Sequence, residues 1–174
     1  MAVTVTDDDG LSATGSFQYV VVYDPTAGFV TGGGWVPSAA GSYVADPTLA
    51  GKASFGCVSR YKRGQSVPTG ETQFQFELAA FRFHSVSYEW LVISGARAQY
   101  KGVGTVNGAG SYGFLLTATD GQVTGGGGID RFRFKVWEVA SGAVVYDNVL
   151  GAADTLTDAN PQALGGGSVV IHAK

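Results

Sequence analysis

Polar and apolar residues alternate with a period of two along most of this chain, the spacing of a strand with one buried face. In "FQFELAAFRFHS" (74–85), Phe74, Phe76 and Leu78 share one face, and after Ala79-Ala80 the phase changes so that Phe81 and Phe83 share another. A turn or bulge at the alanines lets both sets reach one core. Alternation and β-branched or aromatic content predict strands over 4–6, 17–23, 28–35, 53–61, 72–78, 81–83, 88–93, 96–106, 112–119, 130–138, 143–147 and 168–172. No segment sustains a helical period. Asn-Gly in "NGAGSYGFLL" (107–116) and Asp-Gly in "ATDGQ" (118–122) tolerate positive φ and are hairpin signals. The fold class is all-β: an antiparallel β-sandwich, or a partly closed barrel, with Gly-rich turns and an N-terminal β-hairpin.

Composition sharpens this picture. Hydrophobic residues make up 45% of the 174 and charged residues only 14%, against a usual charged share of about 25%, so this is folded protein rather than a disordered tail. A net charge of -3 offers no basic field for phosphate backbones, so neither nucleic acid nor an anionic membrane is an expected partner. No apolar run approaches the roughly 20 residues of a membrane helix. Met1 leads straight into alternation without a signal peptide, which suggests an excised piece.

Twenty-seven glycines punctuate the chain, clustered in "TGGGW" (31–35), "TGGGGID" (124–130) and "LGGGS" (164–168). Strand-like sequence follows each cluster, so they read as bulges and close-packed turns rather than phosphate loops. The single Cys57 excludes an internal disulfide and, at period-two spacing from Phe55 and Tyr61, reads as a small strand side chain. "VYDPTAG" (22–28) marks a boundary, since Pro25 stops sheet pairing and extends Asp24. Two units are expected, 1–24 and 25–174.

The first of these carries a resemblance. "VTVTDDDGLSATGSFQYVVV" resembles the last two strands of a PKD domain, an immunoglobulin-like sandwich of secreted and surface proteins, over residues 3 to 23 only. The remainder resembles a module that follows PKD or similar repeats near the C-termini of large bacterial extracellular proteins. The motifs that carry this are "FVTGGGWVPSAAGSY", "GKASFGCVSRYKRGQSVPTGETQFQF", "FHSVSYEWLV", "AQYKGVGTVNG", "YGFLLTATDG", "DRFRFKVWE" and "GGGSVVIH". The resemblance implies an extracellular location and an architecture, and no enzymatic chemistry.

Candidate chemistry is sparse. Asp7-Asp8-Asp9-Gly10 lacks the alternating ligands of an EF-hand loop, which favours a turn over a Ca²⁺ site. Asp154, Asp158 and Asn160 in "LGAADTLTDANPQALGGG" are the better Ca²⁺ candidates, set against a solvated loop of Asx turns. His84 and His172 show no zinc-ligand spacing, no G-x-S-x-G elbow occurs, and Glu77, Glu89 and Glu138 would make a glycosidase pair only through tertiary proximity. Trp90 and Trp137 sit in apolar strands and are expected in or near the core. Trp35, Tyr43 and Tyr61 are candidate stacking platforms for sugar. Lys52 or Lys135, Asn148 and Glu138 or Asp130 are the ingredients of a Lys-Asn isopeptide bond.

The sequence thus points to a non-catalytic structural, adhesive or assembly module, without a resident cofactor unless Ca²⁺ binds. Its expected partners are other domains of the parent chain or copies of itself through strand edges. The alternative is a carbohydrate-binding module built on the three rings.

Overall fold

The computed structural model of the protein describes residues 2–16 and 28–172, which are almost entirely strand and turn. Strands β1 (Ala2–Thr6) and β2 (Ser12–Ser16) pair antiparallel with Thr6 opposite Ser12. Asp7 to Gly10 form the turn between them. The Asp7 carboxylate accepts the backbone N–H groups of Asp9 and Leu11 at 3.1 and 2.8 Å, and Gly10 takes a φ of +81°. One of the three carboxylates is therefore committed to the turn's own backbone, as in an Asx turn. The predicted strand 17–23 and the boundary at Asp24-Pro25 lie outside the described residues.

Ten strands form one antiparallel sheet: β3 (Phe29–Ser38), β4 (Gly51–Arg60), β5 (Thr69–Phe76), β6 (Phe81–Ser94), β7 (Arg97–Val106), β8 (Ala109–Thr119), β9 (Arg131–Glu138), β10 (Val144–Asp147), β11 (Gln162–Ala163) and β12 (Gly166–His172). Their order is β10-β9-β8-β7-β6-β5-β4-β3-β12, with β11 alongside β9. Short hairpins make this meander cheap to close. At the β7–β8 turn Asn107 and Gly108 have φ values of +53° and +77°, both central positions of a type I′ turn. The Asp-Gly signal at 120 instead opens the longer loop 120–130, in which Gly125, Gly127 and Gly128 carry the positive φ values.

The sheet folds over on itself at β6. β5 pairs with β6 only from Gln73–Phe76 to Phe81–His84. Beyond Ser85 the strand shifts register twice against β7, between Ser85 and Ser87 and between Tyr88 and Trp90, and leaves β5. Bulges of this kind bend a strand and raise its twist. Side chains cover the backbone groups exposed by the split: Ser85 Oγ accepts the Thr72 N–H at 2.9 Å, and the Tyr61 hydroxyl accepts the Leu91 N–H and donates to its carbonyl. The two halves then face each other as a sandwich. Phe55 of β4 stacks on Phe132 of β9 at 3.8 Å, and Phe74 of β5 lies 4.7 Å from both Phe134 and Tyr146. Phe76, Phe81, Phe83 and Phe114 complete this buried layer, so the phenylalanines on both sides of Ala79-Ala80 do reach one core. Glu77–Ala79 is a short 3-10 turn and Ala80 sits at a φ of +48°. Leu78 falls in that turn and is exposed, not on the face of Phe74 and Phe76.

Both ends of the sheet are covered. On β12 the outward N–H groups of Val169 and Ile171 donate to Asp130 Oδ2 and Asp120 Oδ2 at 2.8 and 2.9 Å. On β10, Tyr146 bridges to Tyr43, with Val44 N–H donating to the Val145 carbonyl and Asp147 N–H to the Ser42 carbonyl. Edges treated this way are poor templates for another strand. Among the described residues no helix is long and apolar enough to cross a membrane.

Candidate functional site

The two outer faces of the sandwich differ. On the β3–β7 side the outward positions of neighbouring strands line up in two rows. The register places Gly33 opposite Gly56, Gly56 opposite Gln73, Gln73 opposite His84 and His84 opposite Thr105. The second row runs from Trp35 through Ser54 and Gln75 to Arg82. Arg82 N–H donates to Asn107 Oδ1 at 3.0 Å, which ties the β7–β8 turn to the end of that row. Between the rows lies an open concavity of about 1080 Å³, bordered by Ser54, Gln73, Gln75, Arg82, His84 and Asn107. A smaller hollow of about 380 Å³ continues it toward Thr31, Val58 and Glu71, sharing Gly56 and Gln73. Glu71 accepts a hydrogen bond from Gln73 Nε2 at 2.6 Å. The groove is thus a polar trough on an antiparallel sheet, with side-chain amides, one guanidinium, one imidazole and the Glu77 carboxylate.

Its floor contains a feature that the fold does not explain. At most glycines of the large sheet a Cβ would collide with a neighbour, as Gly34 with the Gly166 carbonyl and Gly113 with the Trp137 ring, or the backbone lies at positive φ. Gly33 and Gly56 differ. A Cβ on Gly56 would meet nothing within 4 Å, one on Gly33 only the Phe55 carbonyl at an ordinary 3.7 Å, and neither residue has a positive φ. A glycine inside a strand costs about 0.5–1 kcal/mol relative to alanine. Paired across strands, they leave bare peptide backbone, with Gly56 in the lining of the groove and Gly33 exposed beside it, and such backbone is where a ligand or another backbone approaches a sheet closely.

The opposite face is covered. Residues 148–161 lie over the outward side chains of β7, β8 and β9, held by arginines that donate to loop carbonyls: Arg97 to Thr157 at 3.0 Å, and Arg133 to Ala153 at 2.6 Å and Ala152 at 3.1 Å. Gln99 joins them by donating to the Asp154 carbonyl. Arg133 is 1% exposed and grips both oxygens of the equally buried Asp147 at 3.0 and 2.7 Å. Burial works against its charge, but the hydrogen bonds and charge of Asp147, then Asp154, hold its pKa above the usual value.

This arrangement determines what the residues singled out in the sequence do. Asp154 turns Oδ1 to Arg133 at 3.1 Å and Oδ2 to Lys135 at 2.6 Å, so two cations already neutralise it. Asp158 instead accepts the Thr155 and Thr157 hydroxyls, which lower its pKa, and Asn160 sits at a φ of +45°. Asp154 and Asp158 thus bond to different partners, and among the described residues no group of three or more His, Cys, Asp or Glu is placed to hold a metal. The isopeptide ingredients are engaged elsewhere: Asn148 accepts the Phe134 N–H and donates to the Phe132 carbonyl, Lys135 is paired with Asp154, and Lys52 lies over the Trp35 ring at 5.4 Å. Glu89 pairs with Lys101 and Glu138 accepts the Ser141 hydroxyl, while Glu77 borders the groove.

The three rings proposed as one platform serve three places. Trp35 lies against Gly165 and Gly166, where a Cβ would strike its indole. Tyr43 meets Phe81 edge-on at 5.8 Å, and Tyr61 caps the backbone of Leu91. Tyr61 follows Arg60, which pairs with Phe29, and Trp35 is six residues further along β3, roughly 20 Å away. Trp137 is not in the core: it projects from the outer face opposite Gly113, with Lys101 Nζ 5.8 Å over its ring. Trp90 is likewise only half-buried. Cys57 is buried in the core, where loss of solvation pushes its thiol up to about 11 despite a hydrogen bond with Tyr100, so it is an interior side chain and a poor nucleophile.

No family model matches the chain, and neither the curated proteins nor the solved structures compared with it give a match.

Proposed function

We propose that this chain is a non-catalytic adhesive module of a secreted or surface protein, holding its partner in the groove on the β3–β7 face. The observation that carries this reading is the groove itself: an open polar trough on an antiparallel sheet, lined at Gly56 by a glycine that packing does not require. The groups with the largest burial effects, Cys57, Tyr88, Tyr100 and Tyr146, are buried and have pKa values raised by lost solvation; none borders the trough, and Cys57 alone reaches the smaller hollow beside it. That placement suits a scaffold better than an acid–base catalyst, whose tuned groups face the substrate. The resemblance of residues 3 to 23 to the end of a PKD domain supports a position outside the cell, and a single buried thiol suits a fold that does not depend on redox conditions. Because Asp120, Asp130 and the Tyr43 bridge cover the sheet ends, contact with other domains or copies would use a face of the sandwich.

Incubation with a panel of soluble polysaccharides, followed by assay of both retention and new reducing ends, tests this. Retention without chain cleavage is the expected result. Progressive appearance of reducing ends would overturn the non-catalytic reading.

A further inference from the structure

We propose that the groove takes an uncharged polysaccharide, laid across the strands over Gly33 and Gly56, with the amides of Gln73, Gln75 and Asn107 reading its hydroxyls. This rests on the adhesive reading above and names its ligand class. An amide presents a donor and an acceptor side by side, the pattern that pairs with neighbouring hydroxyls of a sugar ring; beyond their bonds to Glu71 and Arg82, Gln73 keeps its carbonyl and one N–H, and Asn107 its amide N–H groups. Arg82 adds a planar fork of donors at the end of the same row.

The trough has no excess of cations. Arg82 and Glu77 both border it, and Glu71 in the adjoining hollow is hydrogen-bonded to Gln73. A polyanion would gain little from this field, and the molecule's net charge of -3 opposes it. A protein partner would need aromatic or aliphatic anchors at the centre of the contact. The phenylalanines bordering the trough, Phe55, Phe74 and Phe83, are instead buried and belong to the core. Polar, wet contact with a polyhydroxylated chain fits what the trough offers.

The glycines supply the remaining requirement. With no side chain at two positions paired across strands, a sugar ring can lie on the peptide planes while the flanking amides reach its edges. From β3 to β7 the row crosses four strand spacings, roughly 19 Å, so the site favours an oligomer over a single sugar. Trp35, beside Gly34 and opposite Ser54 of the trough, is placed to report binding by fluorescence.

The test is a titration of the whole chain with xylan, mannan and β-glucan oligomers, and with polygalacturonate and duplex DNA as charged probes, at low and high salt. The expected result is saturable binding of a neutral oligomer, insensitive to salt. Gly56→Val should weaken that binding by about tenfold or more, while its melting temperature stays at or above the parent's, which separates a blocked site from a damaged fold. Gln73→Ala should weaken binding without affecting melting. Preference for polygalacturonate with affinity falling in salt would overturn the ligand class and leave the adhesive reading standing. Binding by Gly56→Val equal to the parent's would overturn the site itself. No binding of any polysaccharide, with retention on immobilised copies of the chain, would overturn the inference in favour of assembly.

Discussion

At the scale of the residue, buried polar groups determine how this sandwich responds to pH and mutation. Burial raises the Cys57 pKa from 9.0 to about 11, so the folded state holds the thiol's proton more tightly than the unfolded chain does. The contribution is complete below pH 9.0 and is lost as pH rises to about 11, a change of roughly 2–3 kcal/mol. Tyr88 and Tyr100, raised in the same direction by burial, steepen the loss at still higher pH. Urea midpoints measured from pH 7 to 11 should therefore fall on the alkaline side, and Cys57→Ala should flatten the first part of that fall. An unchanged slope in the variant would remove Cys57 from this account. Arg133→Met leaves Asp147 buried without its guanidinium and should cost about 3–5 kcal/mol in urea denaturation. The sequence showed Arg133 only as a polar position in an alternating strand. Its partners Asp147, Ala152, Ala153 and Asp154 come from the far side of the β9–β10 turn, and one strand's period carries no information about that.

At the scale of the element, alternation located most strands because one face of each is buried. It failed where that condition fails. β6 was expected as two pieces, 81–83 and 88–93, because its bulges at Ser85–Ser87 and Tyr88–Trp90 interrupt period two inside one continuous strand. β11 is two residues long and too short to show any period. Trp137 was expected near the core on its hydrophobicity, yet the alternation of Phe132, Phe134 and Val136 inward places it outward. The closure of β12 was also invisible, since Asp120 and Asp130 lie far from it in sequence and in a glycine loop. It makes a sharp prediction. Asp130→Ala removes the acceptor of the Val169 and Gly121 N–H groups, which should cost about 1–3 kcal/mol per orphaned group. Hydrogen exchange should accelerate at Val169 while Val30, buried in β3, stays protected. Unchanged exchange at Val169 would mean that the carboxylate does not hold the edge.

At the scale of the whole molecule, one outer face is sealed by residues 148–161 and their arginine contacts, and the other is left open as a polar trough. The polar positions of that trough were legible as the solvent side of "TQFQF" and "FRFH". Their convergence was not, because it depends on the register of four neighbouring strands and on two glycines meeting across β3 and β4. The separation of the three candidate rings was not legible for the complementary reason: Trp35, Tyr43 and Tyr61 each have a packing contact that only the folded chain reveals. Gly56→Val should stabilise the sheet by up to about 1 kcal/mol, since the site is open and extended and the strand glycine is a cost. Thermal melting of parent and variant measures this, and a lower melting temperature would mean the glycine serves the fold after all. The most direct test of the working surface is an NMR titration of amide shifts with the neutral oligosaccharide panel. Shifts should concentrate at Gly33, Gly56, Gln73, Gln75 and His84, with the 148–161 loop unmoved; shifts confined to that loop would mean that the trough is not the binding surface.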